Sequence, residues 1–223
     1  MPQLIYRPVD PYDQWILDSG GNLLGIRVAG RSIPIADYLI TTATLDEELG
    51  SWDDMNFSAT GINPTGAAGA ATRDQDTGMI VFSGTADNVL VGTAQMKHRW
   101  VEGSAVRPHL HLRFPTAAVA NTRWKFEYDM ANVNGDFANA YGTYTTLTTI
   151  TVANPNNAKK SVIAEFGLLA MTGMTLSAQI PWRLTRLASS DAADTHAADV
   201  ILTDIDFHFQ SDRSNGSRTE FAK

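Results

Sequence analysis

The chain has 223 residues and a formal net charge of -7, with 43% hydrophobic residues, 18% charged residues and no cysteine. An acidic balance argues against non-specific nucleic-acid binding, which needs a basic field to release counterions, and the missing cysteines exclude disulfides, thiolate metal sites and cysteine nucleophiles. Five Trp, six Tyr and nine Phe exceed what a disordered chain carries, and the length suffices to bury a core without a staple.

No stretch approaches the roughly 20 apolar residues of a membrane helix. Met1-Pro2-Gln3-Leu4-Ile5-Tyr6-Arg7-Pro8 has neither a basic leader nor a secretory apolar run. The expectation is a protein that is not exported by a cleaved signal and has no membrane partner.

Charge divides the chain. Residues 1–70 hold three basic residues (Arg7, Arg27, Arg31) and nine acidic ones, whereas 71–223 hold fourteen and fifteen. Such asymmetry points to a functional division. In the first fifty residues, Gln14-Trp15-Ile16-Leu17-Asp18 and Leu23-Leu24-Gly25-Ile26-Arg27-Val28 flank Ser19-Gly20-Gly21-Asn22. Two β-type runs around residues that tolerate positive φ predict a hairpin. Ser32-Ile33-Pro34-Ile35 contains proline and belongs at an edge or in a loop. Thr44-Leu45-Asp46-Glu47-Glu48-Leu49 is the one tidy helix start. Residues 1–50 therefore read as an extended attachment arm.

Residues 51–78 read as a connector, because Ala59 to Ala71 is dominated by Gly and Ala, which bury little area. Asp53-Asp54 is expected to cap a turn within it. Beyond residue 79, short alternating or β-branched runs recur: Met79–Phe82, Trp124–Met130, Tyr144–Val152, Val162–Leu169, Thr175–Leu187 and Val200–Phe209. Asn134-Gly135-Asp136 and Asn154-Pro155-Asn156-Asn157 stop two of them. Short punctuated strands with no long 3.6-residue period predict an all-β, jelly-roll-like antiparallel sandwich over 79–223.

Two strands carry the polar chemistry. In Val106-Arg107-Pro108-His109-Leu110-His111-Leu112-Arg113-Phe114, alternation puts Arg107, His109, His111 and Arg113 on one face. Pro108, without a donor, is expected at a strand start or edge. In Asp204-Ile205-Asp206-Phe207-His208-Phe209-Gln210, the residues Asp204, Asp206, His208 and Gln210 share a face. Histidines at i and i+2 have the spacing to share a metal, and the His-x-His is similar to that of cupins. However, no carboxylate follows within a few residues, and Arg107 and Arg113 flank the pair. The metal candidates are thus His109, His111, Asp206 and His208, set against a purely structural polar ladder. The ladder is the preferred reading, with no metal, cofactor or catalytic residue assigned. His98 and His196 sit singly near loops. No Gly-x-Ser-x-Gly elbow occurs, and Gly61-Ile62-Asn63-Pro64-Thr65-Gly66 lacks the lysine of a phosphate loop.

Trp52-Asp53-Asp54, then His98-Arg99-Trp100-Val101-Glu102-Gly103-Ser104 running into Pro108-His109-Leu110-His111, resembles a family of tailed-bacteriophage virion structural proteins. Asp204 to Gln210, Asp212 and Gly216-Ser217-Arg218-Thr219-Glu220-Phe221-Ala222-Lys223 continue the pattern, so the resemblance spans about residues 50–223. It implies a non-enzymatic particle component (head decoration, collar or tail fibre) assembled in the host cytoplasm and partnered by capsid, neck or tail proteins. By analogy such a component is a homotrimer, with the polar face lining its axis. The alternatives are a cupin-like metalloprotein using His109 and His111, or a module binding a host-surface glycan through Trp15, Trp100 or Trp182.

Overall fold

The computed structural model describes residues 51–64, 69–158 and 160–211, and within 1–50 the strands at 4–6, 14–17, 23–28 and 31–34. The chain divides into two compact units, Met1–Gly50 and Ser51–Lys223. In the first, β1 (Leu4–Tyr6), β2 (Gln14–Leu17), β3 (Leu23–Val28) and β4 (Arg31–Pro34) form an antiparallel sheet in sequence order. The predicted hairpin is β2–β3, with Trp15 opposite Ile26. Pro34 ends the edge strand β4, where a missing ladder donor costs nothing. The predicted helix start at 44–49 and the segments 65–68 and 212–223 lie outside the described residues.

The second unit is the sandwich. One sheet has the order β11-β10-β13-β8, formed by Thr145–Ala153, Asn121–Tyr128, Gln179–Arg186 and Asn88–Gln95. The other runs β12-β9-β14-β7-β6, formed by Ser161–Glu165, Val106–Arg113, Val200–Ser211, Ile80–Phe82 and Thr72–Arg73. Its longest strand, β14, has β9 along one side; along the other, β7 pairs with its first residues and β5 (Ser51–Ser58) with its second half. These ladders are all antiparallel, as the sequence predicts.

The connector expectation for 51–78 is corrected by β5. Asp204↔Ser58 through Ser211↔Ser51 pair in continuous register, and Met55, Ala59 and Ala71 are buried. The period-2 signal in Trp52-Asp53-Asp54-Met55-Asn56-Phe57 is weak because neither parity is uniform: Trp52 falls with Asp54 and Asn56, and Asp53 falls with Met55 and Phe57. Asp53 and Asp54 consequently do not cap a turn. They point to opposite faces of β5, where Asp53 pairs with Arg99 and Asp54 with His208.

The core lies between the sheets. Leu110, Leu112, Ile205, Phe207 and Phe209 from one meet Leu90, Trp124, Phe126, Trp182 and Leu184 from the other. Gly92 stands opposite Trp182 in the β8–β13 register, and a Cβ there would fall on the indole, so this strand glycine exists to admit the ring. The turn residues Asn134 and Asn156 take positive φ of 61° and 54°, the backbone conformation that asparagine tolerates better than most. Pro108 is not at an edge: it is the third residue of β9, between β12 and β14. Its carbonyl accepts from Phe166 N–H, so its missing donor faces the side where the β12 ladder has just ended at Glu165.

An ion pair, Arg186 with Asp194, is built into this interior. Arg186 is fully buried and donates to both carboxylate oxygens of Asp194 (3.0 Å each) and to the carbonyls of Phe82, Ala198 and His196.

Candidate functional site

The outer face of the six-stranded sheet brings the two polar strands together. Asp206 lies opposite His109 on β9 and Asn56 on β5, while His208 lies opposite Arg107 and Asp54. A register shift between Leu202 and Asp204 sets Asp204 against His111. The result is a cluster. His109 Nε2 and His111 Nε2 are 3.1 Å apart, and Asp206 Oδ2 is 3.4 Å from the first and 2.9 Å from the second. Among the described residues, these three form the group with metal-ligand chemistry, their ligand atoms within 4.8 Å of one another.

Burial and neighbours hold the cluster. His109 is 3% exposed and Asp206 6%, whereas the His111 side chain is 28% exposed and opens the group to solvent. Asn56 Nδ2 donates to Asp206 Oδ1 at 2.6 Å, which aims Oδ2 at the imidazoles, and also reaches Asp204 Oδ1 at 3.3 Å. His208 does not join the ligand atoms: its Nε2 sits 2.7 Å from Asp54 Oδ1, and its ring stands edge-on to His109 at 4.3 Å between centroids. Burial of the His109 ring opposes its charged form. The hydrogen bond and charge of Asp206, helped by the charge of Asp54 and the Arg107 backbone, outweigh that and hold the imidazole above its usual value. Nδ1 of His109 is buried and has no partner at hydrogen-bond geometry. Burial likewise opposes the Asp206 carboxylate, but His109, His111 and Asn56 together hold it below the ordinary carboxylate range.

The flanking arginines expected to oppose a cation do not crowd the cluster. Arg107 lies over the Trp52 ring, 5.4 Å from its centroid, and Arg113 Nε donates to the Ala158 carbonyl at 3.4 Å. The two single histidines have other partners. His98 Nε2 meets Ser177 Oγ at 2.9 Å, and His196 is buried edge-on against Phe114.

The four-stranded sheet presents a different outer surface. A groove of about 640 Å3 runs over Val89, Val91, Lys125, Glu127, Arg183 and Thr185, with Tyr144 at one end. Tyr144 also lines a second cleft of about 360 Å3, shared with Asp129, Phe137, Asn139 and Tyr141. Arg183 makes a two-pronged contact with Glu127 (2.8 Å each) and stacks 4.8 Å from the Tyr144 centroid, fixing that ring. Lys125 Nζ adds a third contact to Glu127 at 3.3 Å. The loop carrying Phe137 and Tyr141 is pinned by Asp129 Oδ1, which accepts from the Asn139 backbone and side chain at 3.3 and 3.0 Å. Tyr141 is fully exposed and Phe137 44% exposed.

Two of the three aromatic residues named from the sequence as sugar platforms are not on display. Trp100 and Trp182 are 0% and 1% exposed and belong to the core. Trp15 is in β2 of the first unit. A bulky ring on the core parity of a strand, such as Trp182 on β13, is buried by the hydrophobic effect, whereas Phe137 and Tyr141 sit in a loop rich in Gly, Asn and Ala, where no periodicity marks them, and Tyr144 stands at the start of the run Tyr144–Val152.

No family model matches the chain, and no curated protein matches it. Several solved structures align with part of the chain. A carbohydrate-binding module CBM36 in complex with calcium and xylotriose aligns at TM-score 0.41 and 10% identity, over 69% of this chain and 98% of that one. The C-terminal CBM6 of LamC from Zobellia galactanivorans aligns at 0.41 and 8% identity, over 70% and 98%. A CBM35 from Cellvibrio japonicus Abf62 aligns at 0.39 and 9%, over 71% and 98%.

Proposed function

We propose that the sandwich is a non-catalytic glycan-binding module whose site is the groove and cleft joined at Tyr144. The observation that carries this reading is the pairing of fixed rings with fixed polar groups on one surface. A sugar ring has an apolar face of C–H bonds and a rim of hydroxyls. Such a ligand needs an exposed aromatic platform beside planar polar groups that can donate and accept in pairs. Tyr144 is held by Arg183, Tyr141 and Phe137 ride on a loop pinned by Asp129, and Lys125, Glu127 and Arg183 offer the polar rim. Preorganised rings lose little entropy on binding. The groove's two cations, Lys125 and Arg183, are balanced by Glu127 and Asp87, which suits a neutral glycan better than a polyanion.

Screening the full chain on a glycan array, followed by titration calorimetry, is expected to find a neutral oligosaccharide ligand. Tyr144→Ala should weaken it on the order of tenfold or more, equivalent to about 1.4 kcal/mol, with an unchanged near-ultraviolet circular dichroism spectrum. An array with no neutral glycan retained, or a Tyr144→Ala chain that binds like the parent, refutes the assignment.

A second reading concerns where the module is carried. The division at Gly50/Ser51 into two compact units favours attachment through residues 1–50 and display of the remainder, in line with the virion role that the sequence motifs imply. Removing residues 1–50 should leave a folded sandwich that no longer joins phage particles, assayed by co-sedimentation. Normal incorporation of the truncated chain would disprove the attachment role.

A further inference from the structure

The His109–His111–Asp206 cluster lies on the other sheet from the glycan groove and owes nothing to that reading. We propose that these three side chains bind one divalent first-row transition-metal ion, with the remaining coordination positions opening to solvent past His111.

The distances set the case. Bonds of about 2.0–2.1 Å, at angles between octahedral and tetrahedral, leave neighbouring ligand atoms about 2.8–3.4 Å apart. The three edges here are 2.9, 3.1 and 3.4 Å. Without an ion the arrangement is awkward: two imidazole nitrogens and one carboxylate oxygen converge, and a single proton satisfies only one of the three contacts well. One cation satisfies all three lone pairs together. A polar ladder made only for cohesion would not need to aim them at a common point.

The surroundings agree. Asn56 orients Asp206 from behind, the role an outer hydrogen bond plays for a metal-bound carboxylate. Asp204 and Asp54 add negative charge nearby through Asn56 and His208, while Arg107 and Arg113 are engaged elsewhere. Two imidazoles and one carboxylate select the zinc, iron, cobalt, nickel or copper class over calcium or magnesium, which prefer all-oxygen sites. The i, i+2 histidines supply two ligands from one strand, and the antiparallel register of β14 supplies the third.

The test uses untagged full-length protein stripped with a chelator and titrated with Co2+. A visible d–d absorption band saturating at one equivalent, and displaced by Zn2+, is expected. His111→Ala changes the most exposed of the three side chains and should weaken the ion more than a hundredfold while leaving the metal-free melting temperature near that of the parent. His208→Gln, which removes no ligand, should bind within threefold of the parent. Folded parent protein that takes up no stoichiometric Co2+ overturns the proposal, as does a band that survives both His111→Ala and Asp206→Asn. Because no sugar enters the assay, its failure leaves the glycan reading untouched, and the converse holds.

Discussion

Replacing Arg186 by methionine is expected to cost about 3–5 kcal/mol of stability, the usual penalty for stranding the partner of a buried ion pair. Arg186 and Asp194 are both essentially inaccessible, with side-chain exposures of 0% and 1%. Asp194 would keep a charge with no counterion, and the carbonyls of Phe82, Ala198 and His196 would lose a donor. Those three carbonyls belong to β7 and to the segment leading into β14, so the guanidinium ties one end of the sandwich together. Domains are stable by only about 5–15 kcal/mol, and for this size 1 kcal/mol shifts the melting temperature by about 2–4 °C. A fall on the order of 10 °C is therefore expected in a thermal or urea melt. Lysine should not rescue, because a point charge cannot reproduce the fork geometry. A loss below about 1 kcal/mol would show that the network is not what holds this end.

The same network gives the acid side of the stability curve a defined sign. His196 is buried, and that burial, with the positive charge of Arg186 next in weight and Asp194 opposing, holds its imidazole below the usual 6.5. A base with a lowered folded value contributes stability that is fully present above the unfolded value and is lost as the pH falls through the folded one. Unfolding midpoints should accordingly decline below about pH 6.5, and His196→Phe should flatten that part of the curve.

Phe207→Ala is expected to cost about 3–5 kcal/mol, the range for removing a large aromatic from a core. Phe207 is fully buried on β14 and contacts Phe57 on β5 at 5.8 Å between centroids. Across the sandwich it meets Phe126 at 6.0 Å and Trp182 at 6.4 Å. It thus joins the two sheets near the centre, where neighbouring strands cannot collapse into the space without breaking register. The adjacent outward residues, Asp206 and His208, would lose the rigid strand that positions them. Urea denaturation provides the number, and Phe207→Leu, which keeps most of the volume, should recover at least half of it. A cost under about 1.5 kcal/mol would mean that the sheets relax together more freely than their packing implies.

Residue order alone settled the class of fold and the facing of its polar strands. Alternation in 106–114 and 204–210 placed His109, His111, Asp206 and His208 outward and Leu110, Leu112, Phe207 and Phe209 inward, because a strand's side chains can only alternate. The same parity puts Arg186 on the core side of β13, beside Ile180, Trp182 and Leu184, a cue that a buried cation needs a buried partner. What awaited tertiary structure was every relation between distant segments. Pairing of β5 with β14, the register that sets Asp206 beside both imidazoles but turns His208 toward Asp54, and the meeting of Tyr144 with Arg183 all depend on which strands become neighbours. Strand neighbours are chosen by the packing of the whole sandwich, through contacts separated by tens to more than a hundred residues, and no local periodicity encodes that choice.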